Sequence, residues 1–293
     1  MSVSDNFSTF VSNLRMSSGT VDKIQSRYKN ITKRINIEYW NNTSETSNSL
    51  YVGSYGRGTE IWTSDIDMIV RLPYSIYERY NGYIGNGQSA LLQNVKSALL
   101  KTFSSSHIKG DGQVIGINFT DGISFEIVPV FVNKDGSYTY PDSNNGGSWK
   151  ITDPKKELDA INTENNNTNK NLKRLCRMVR AWKGKHNVPM SGILVDTLVY
   201  RFIKDWAYKN KSYLYYDFMS RDFFKYLKDI DSSKVVWQAP GSNRFVYSKG
   251  YFQNKARNAY NLSLEAIALE EKGYLFSSKK KWGEIYGTKF PQY

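Results

Sequence analysis

The 293-residue chain is long enough for one large domain or two closely packed ones. Its 40% hydrophobic and 23% charged residues are those of a globular protein, and 40 Lys and Arg against 27 Asp and Glu leave a charge of +13, which points to a polyanionic ligand, either nucleic acid or a nucleoside triphosphate. A single cysteine, Cys176, excludes a disulfide framework and a thiolate zinc site; no apolar run reaches membrane-spanning length and residues 1–10 hold no signal-peptide core, so a cytoplasmic protein without membrane contact is expected.

The first predicted element is a helix over 21–40, with Ile24, Tyr28, Ile31, Ile35 and Tyr39 at spacings of three and four. A polar loop follows over 41–49. Tyr51-Val52 then leads into a glycine-rich turn, and 66–72 reads as a strand ended by Pro73. Residues 89–103 predict a helix with Leu92, Val95 and Leu99 on one face. The segments 113–119 and 123–132, joined by Thr120-Asp121-Gly122, predict a β-hairpin. His107, after a serine run, and His186, after Lys-Gly-Lys, are expected in loops. From about residue 153 the pattern turns helical, over 171–183, 193–208, 221–227 and 252–272. In the last of these Ala256, Tyr260, Leu264 and Ile267 are the apolar positions and Gly273 the stop. The Asn-rich stretch 162–171 reads as loop or helix start. The order implies an α+β fold, a strand-rich half followed by a helical half. No linker separates them, so one globule with a cleft between the halves is expected.

The chemistry concentrates in Gly53-Ser54-Tyr55-Gly56-Arg57-Gly58-Thr59 and Ser64-Asp65-Ile66-Asp67. Glycines let backbone N–H groups approach a triphosphate, and a serine hydroxyl can donate to a phosphate oxygen. Asp65 and Asp67 are two apart at the start of a strand, so their carboxylates share one face. Such a pair stays ionised cheaply only with a cation between the two, and Mg²⁺ with its oxygen ligands suits that place. A two-metal site needs a third carboxylate. The candidate is Glu126, the acid inside the apolar strand Ser124-Phe125-Glu126-Ile127-Val128-Pro129. Alternation places it with Ser124 and Val128, where a buried acid would need a partner or a metal.

Together these motifs resemble the polymerase β-type nucleotidyltransferases, and more narrowly the bacterial cGAS/DncV-like (CD-NTase) family. Further matches are Trp149 with Thr152-Asp153-Pro154, the helix segment Leu172-Lys173-Arg174-Leu175 with Arg177, Arg180 and Trp182, and Trp282-Gly283-Glu284-Ile285-Tyr286-Gly287 with Phe290-Pro291. The resemblance runs from about residue 20 to 291. It implies a nucleotidyltransferase core with an N-terminal helix over 1–150, and a C-terminal helical bundle over 151–293 packed on it. It implies synthesis of a cyclic oligonucleotide from nucleoside triphosphates with release of pyrophosphate, in antiphage (CBASS) signalling. Asp65, Asp67 and Glu126 would be the catalytic carboxylates holding two Mg²⁺ ions, or Mn²⁺. Gly53, Ser54, Arg57, Arg180, Ser191, Asn166 and Trp182 would contact nucleotide, with Ser191 acting from a helix N-terminus.

The chain departs from the family pattern at three places. Glu126 stands where relatives commonly carry Asp, Gly192 replaces an aromatic beside the serine, and Arg180 stands where Lys is frequent. The Arg-x-Trp variant resembles members that make cyclic dipyrimidines, and an amide among Asn165–Asn167 can read the Watson–Crick edge of uracil. The expected substrates are therefore UTP, then CTP, and the expected product cyclic di-UMP. No obligatory nucleic acid is expected; the implied partner is a downstream effector that senses the cyclic nucleotide, and the chain is read as a monomer. The competing readings are a purine-containing cyclic dinucleotide synthase, an RNA 3′-end nucleotidyltransferase, and a degenerate, non-enzymatic transferase fold.

Overall fold

The computed structural model describes residues 2–61 and 65–291. Ser64, part of the predicted Ser-Asp-Ile-Asp motif, lies outside the described residues. In chain order the elements are α1 (Val3–Asn13), α2 (Ser18–Trp40), β1 (Ser49–Tyr51), α3 (Gly53–Arg57), β2 (Asp65–Arg71), α4 (Tyr74–Asn81), α5 (Gly87–Leu100), β3 (His107–Asp111), β4 (Val114–Asn118), β5 (Ser124–Val132), β6 (Tyr138–Asp142) and β7 (Ser148–Thr152). They continue with α6 (Pro154–Asn167), α7 (Asn171–Lys185), α8 (Gly192–Asp205), α9 (Tyr216–Lys228), β8 (Val236–Gln238), β9 (Phe245–Tyr247), α10 (Gln253–Glu271) and α11 (Leu275–Tyr286). The described residues divide into two compact units. One is 16–56 with 65–155, the other 2–15 with 57–61 and 156–291. The boundary near 155 lies close to the expected 150. Residues 2–15, however, cluster with the helical unit and not with the strand-rich one.

The first unit is built on a mixed sheet in the order β1-β2-β5-β4-β3, continued from β5 through β6 to β7. Only β2 and β5 run parallel, with Asp65 opposite Ser124 and Asp67 opposite Glu126. Helices α2 and α5 cover one face. Ile24, Ile31 and Ile35 of α2 and Leu91, Val95 and Leu99 of α5 pack on Ile66, Met68 and Val70 of β2 and Phe125 and Ile127 of β5. Helix α2 starts where the Ser17 side chain accepts from the Thr20 N–H, and ends at Asn41 in the left-handed conformation, φ 49°. Because strand side chains alternate, the residues between the core positions of β2 fall on the opposite face. There Ile69, Val130 and Tyr138 form a small apolar cluster, and Asp65 and Glu126 are exposed.

A bidentate contact fastens α2 to the β4–β5 turn. Both terminal nitrogens of Arg27 donate to Asp121, at 2.9 Å each, and the guanidinium lies 4.0 Å from the centre of the Phe119 ring. The hydrogen bonds from Arg27, opposed by slight burial, hold the Asp121 carboxyl far below the usual carboxylate range. A folded pKa below the unfolded one contributes stability above about pH 4, which is lost as pH falls through the folded value. Arg27→Ala should therefore lower the melting temperature at pH 7 by about 2–4 °C. In thermal scans taken downward from about pH 4 its gap from the wild type should narrow.

The second unit is helical. Phe7 and Phe10 of α1, Leu175, Val179 and Trp182 of α7, Leu194 and Leu198 of α8, Phe223 and Phe224 of α9, and Trp282 and Tyr286 of α11 share one apolar core. Aromatic contacts run through it: Phe7 meets Trp282 edge-on at 5.1 Å, and Phe10 lies tilted against Tyr286 at 4.6 Å between ring centres. Helix α1 opens with a reciprocal cap between Ser2 and Asp5.

Three sequence expectations are corrected. His107 begins strand β3 and is not in a loop. Residues 162–167 of the Asn-rich stretch close helix α6, against the expectation of loop or helix start, while 168–170 form a turn and Asn171 opens α7; the Asn165 side chain accepts from the Lys173 N–H, capping the first turn of α7. Leu264 is 42% exposed, while Ala259, Ser263 and Ala266 face inward on α10. His186 follows the last residue of α7, as a loop residue would. Among the described residues no helix is long and apolar enough to cross a membrane.

Candidate active site

The carboxylates come from neighbouring strands. Asp65 and Asp67 stand on the face of β2 away from α2 and α5, and their register partners on β5 are Ser124 and Glu126. Paired strands lie about 4.8 Å apart, so Asp67 and Glu126 are direct neighbours. The Glu126 carboxyl is raised above its ordinary range, first by partial burial of its acidic end, then by the charges of Asp67 and Asp65. More than a third of the residue's surface nonetheless stays open, which corrects the expectation of a buried acid. The Ser124 hydroxyl donates to Asp65 Oδ1 at 2.5 Å.

The glycine-serine turn sits directly on this pair of strands. The Val52 N–H donates to the Asp67 carbonyl at 2.9 Å, and the next residue, Gly53, has φ +60°. A β-carbon built there would lie 1.8 Å from Asp67 Oδ2. Gly53 is thus required twice, for its backbone angle and for the room Asp67 occupies. Gly53→Ala is expected to push the Asp67 carboxylate aside and cut nucleotide turnover by about 100-fold; steady-state kinetics on the folded variant would check it. Ser54 follows at the start of α3 and is half-buried.

The fit to a divalent cation follows from this donor set. Three oxygen-donor carboxylates share one face of two adjacent strands, and their mutual charge already perturbs Glu126. Like charges so placed favour a bound cation, and hard oxygen donors suit Mg²⁺. Among the described residues no three His, Cys, Asp or Glu side chains stand close enough together to hold a metal ion as they are placed, so the fit rests on the shared face and charge of the three carboxylates.

The basic residues expected at nucleotide lie in the helical unit and have other work. Asp196 of α8 is fully buried. It accepts from Arg57 Nε at 2.8 Å, from Thr59 Oγ1 at 2.9 Å and from Arg180 Nη2 at 2.6 Å. Burial alone would raise the Asp196 carboxyl, but Arg180 and Arg57 outweigh it and hold it below its ordinary value. Arg57 also meets Glu157 at 3.4 Å, and Glu157 accepts from Arg244 at 3.1 Å. Arg180 Nε donates to the Thr59 carbonyl at 2.6 Å.

Arg57, 4% exposed, is therefore an internal ion-pair residue and not a nucleotide contact. Trp182 is fully buried, 5.1 Å from the Phe224 ring centre, and belongs to the core and not to a base platform. Arg180 has its Nε and Nη2 committed to the same network. Gly192 now has a reason as well: a β-carbon there would lie 2.8 Å from Arg180 Nη1, so the arginine takes the room of a side chain. Ser191 caps α8, its hydroxyl oxygen accepting from the Leu194 N–H at 3.2 Å. Asn166 is exposed near the end of α6, and its side-chain oxygen accepts from Lys170.

Sequence reasoning passed over Asp196 and Ser124. Asp196 carried a signal, as a lone acid in the apolar run Leu194-Val195-Asp196-Thr197-Leu198. Ser124 carried one only once β2 and β5 were known to pair.

Comparison with known proteins bears on the family and the fold. The model of the Second Messenger Oligonucleotide or Dinucleotide Synthetase domain matches residues 1–165. A probable cyclic nucleotide synthase of Bacillus cereus (strain VD146) is 27% identical over 179 residues, 58% of this chain. The match spans about half, 52%, of that relative's length. Among solved structures, Escherichia coli MS115-1 CdnC in its HORMA-deltaN complex superposes with a TM-score of 0.68 at 14% identity, covering 98% of each chain. The Bradyrhizobium diazoefficiens CD-NTase CdnG in complex with GTP gives 0.66 at 11% identity, over 97% of this chain and 94% of that one. These likenesses establish a common fold, a mixed sheet with helices of the polymerase β-like kind. The chain belongs to the Second Messenger Oligonucleotide or Dinucleotide Synthetase family and has the CD-NTase fold.

Proposed function

We propose that the chain joins nucleoside triphosphates into a cyclic oligonucleotide, releasing pyrophosphate, with Mg²⁺ as cofactor. The observation that carries the reading is the pairing of Asp67 with Glu126 across parallel strands, beside Asp65 and directly under Gly53-Ser54. Asp65, Asp67 and Glu126 would hold two Mg²⁺ ions, with Mn²⁺ able to replace them. Bound there, the ions supply charge neutralisation for the triphosphate and a lowered pKa for the attacking ribose hydroxyl. Ser54 binds the donor triphosphate through its hydroxyl. Asp65 and Asp67 would hold both ions, and Glu126 would hold the one that activates the attacking hydroxyl. Catalysis is then mostly positioning and charge compensation, as in other phosphoryl transfers. Ser191, at the start of α8, is a second phosphate contact.

For the bases, we favour UTP, with CTP second, and cyclic di-UMP as product. Support comes from the exposed Asn166 amide, which offers one donor group and one acceptor. With Arg180 bound to Asp196 and Thr59, the pyrimidine reading rests on Asn166 alone. A purine-containing product is the second reading, favoured by similar structures solved with GTP, or with ATP in the case of E. coli CdnC. The biological role that fits is antiphage signalling through an effector that senses the cyclic nucleotide. The test is to incubate the protein with Mg²⁺ and the four triphosphates, then omit each in turn and follow phosphatase-resistant product by mass spectrometry. Loss of product only when UTP is omitted supports the pyrimidine reading. Loss only without ATP or GTP supports the purine one. Extension of an added RNA primer, with no cyclic product, would replace both by an RNA 3′-end transferase.

A further inference from the structure

The geometry points to Ser124 as a positioning residue for the metal-binding carboxylate of Asp65, an assignment that rests on the metal-dependent reading above. The two residues are register partners on the parallel strands β2 and β5. Alternation along β5 puts the Ser124 side chain on the same face as Glu126, two residues on, and away from Phe125 and Ile127 in the core. From there its hydroxyl donates to Asp65 Oδ1 at 2.5 Å.

The two aspartates are placed differently. Asp65 is the first residue of β2 and more than a third of its surface is open, whereas Asp67 is confined by the α-carbon of Gly53. A carboxylate at an open strand end can turn about both side-chain torsions, and most of those orientations point no oxygen at a metal. A hydroxyl donating to one oxygen narrows those orientations and leaves the second oxygen to a metal. This is how outer-shell donors orient metal ligands in general. The two strands thus pair each aspartate of β2 with a different kind of residue on β5: a donor that orients Asp65, and an acid that adds a ligand beside Asp67.

The test compares the wild type with Ser124→Ala and Ser124→Thr. Mn²⁺ binding is measured by electron paramagnetic resonance in the presence of a non-hydrolysable nucleoside triphosphate analogue. The Mg²⁺ dependence of turnover is measured in parallel. Ser124→Ala should bind Mn²⁺ about 10-fold more weakly and need about 10-fold more Mg²⁺ for half-maximal rate, as losses of outer-shell donors generally do. Ser124→Thr, which keeps the hydroxyl, should restore the affinity. A purely structural role for Ser124 would lower the melting temperature and leave the metal dependence alone. Unchanged Mn²⁺ affinity in Ser124→Ala overturns the assignment, as does a Ser124→Thr variant that is folded yet as weak as the alanine. A wild type that binds no Mn²⁺ with the analogue would overturn the metal reading itself, a different result from either.

Discussion

Asp67→Asn is expected to reduce nucleotide conversion by at least about 1,000-fold, the loss that removing some 4 kcal/mol of metal-mediated charge stabilisation produces. Asp67 stands at the centre of the carboxylate face. Glu126 is its register partner, and Gly53 lies against its carboxylate. The amide keeps the shape of the side chain and removes its charge. The backbone bond from Val52 to the Asp67 carbonyl is untouched. Because the change also relieves like-charge crowding around Glu126, the metal-free variant should melt at or above the temperature of the metal-free wild type. Lost activity with retained or raised stability is the pattern of a residue kept for function. An Asp67→Asn protein that turns over normally would remove Asp67 from the metal site.

Asp196→Ala should have the opposite signature. Its carboxylate is fully buried and takes hydrogen bonds from Arg57, Thr59 and Arg180. Deleting it takes the shared carboxylate from two guanidinium groups in a site shielded from water, leaving Arg57 with Glu157 and Arg180 with backbone carbonyls. Breaking a buried pair in this way costs about 3–5 kcal/mol, so the melting temperature should fall by about 10 °C. The loss should be visible in the absence of any nucleotide or metal. Chemical denaturation is the check, and a loss below about 1 kcal/mol would mean that the two arginines find solvent or other partners without Asp196.

The two residues also show what the sequence could reveal. Asp-x-Asp at the start of an apolar strand, with Gly-Ser upstream, pointed to metal chemistry because alternation alone puts both carboxylates on one face. The partner strand was legible in type but not in register. β2 and β5 are parallel and their paired residues are about sixty positions apart, so nothing local fixes who faces whom. That is why Glu126 could be given a role and Ser124, though placed on the same face, could not. The basic residues were harder. A charge in a helix does not reveal whether it meets a phosphate or a carboxylate, and Arg180 was read toward the former while Asp196, sixteen residues on, already held it. Trp182 illustrates the same limit: an aromatic at helical spacing belongs to a core unless something turns it outward.

The helices with strong period, such as α2, α5, α7 and α10, were legible within a few residues. The Asn-rich end of α6 was not, because asparagine is a poor helix former. There Leu158 and Ile161 are buried and the Thr168 hydroxyl donates to the Glu164 carbonyl, so tertiary packing and a local cap override propensity. Helix α1 was missed for a related reason. Phe7 and Phe10 pack against Trp282, Tyr286 and Phe290, more than 270 residues away, and no window around residue 10 contains that surface.

The most direct test of the central claim is the mass of the product made from the four triphosphates by the wild type with Mg²⁺, with excess EDTA, and by Asp65→Asn and Asp67→Asn with Mg²⁺. A phosphatase-resistant cyclic nucleotide with the wild type and Mg²⁺ alone, and none in the other three reactions, is the predicted result. The same product with EDTA present, or from the folded aspartate variants, would contradict it.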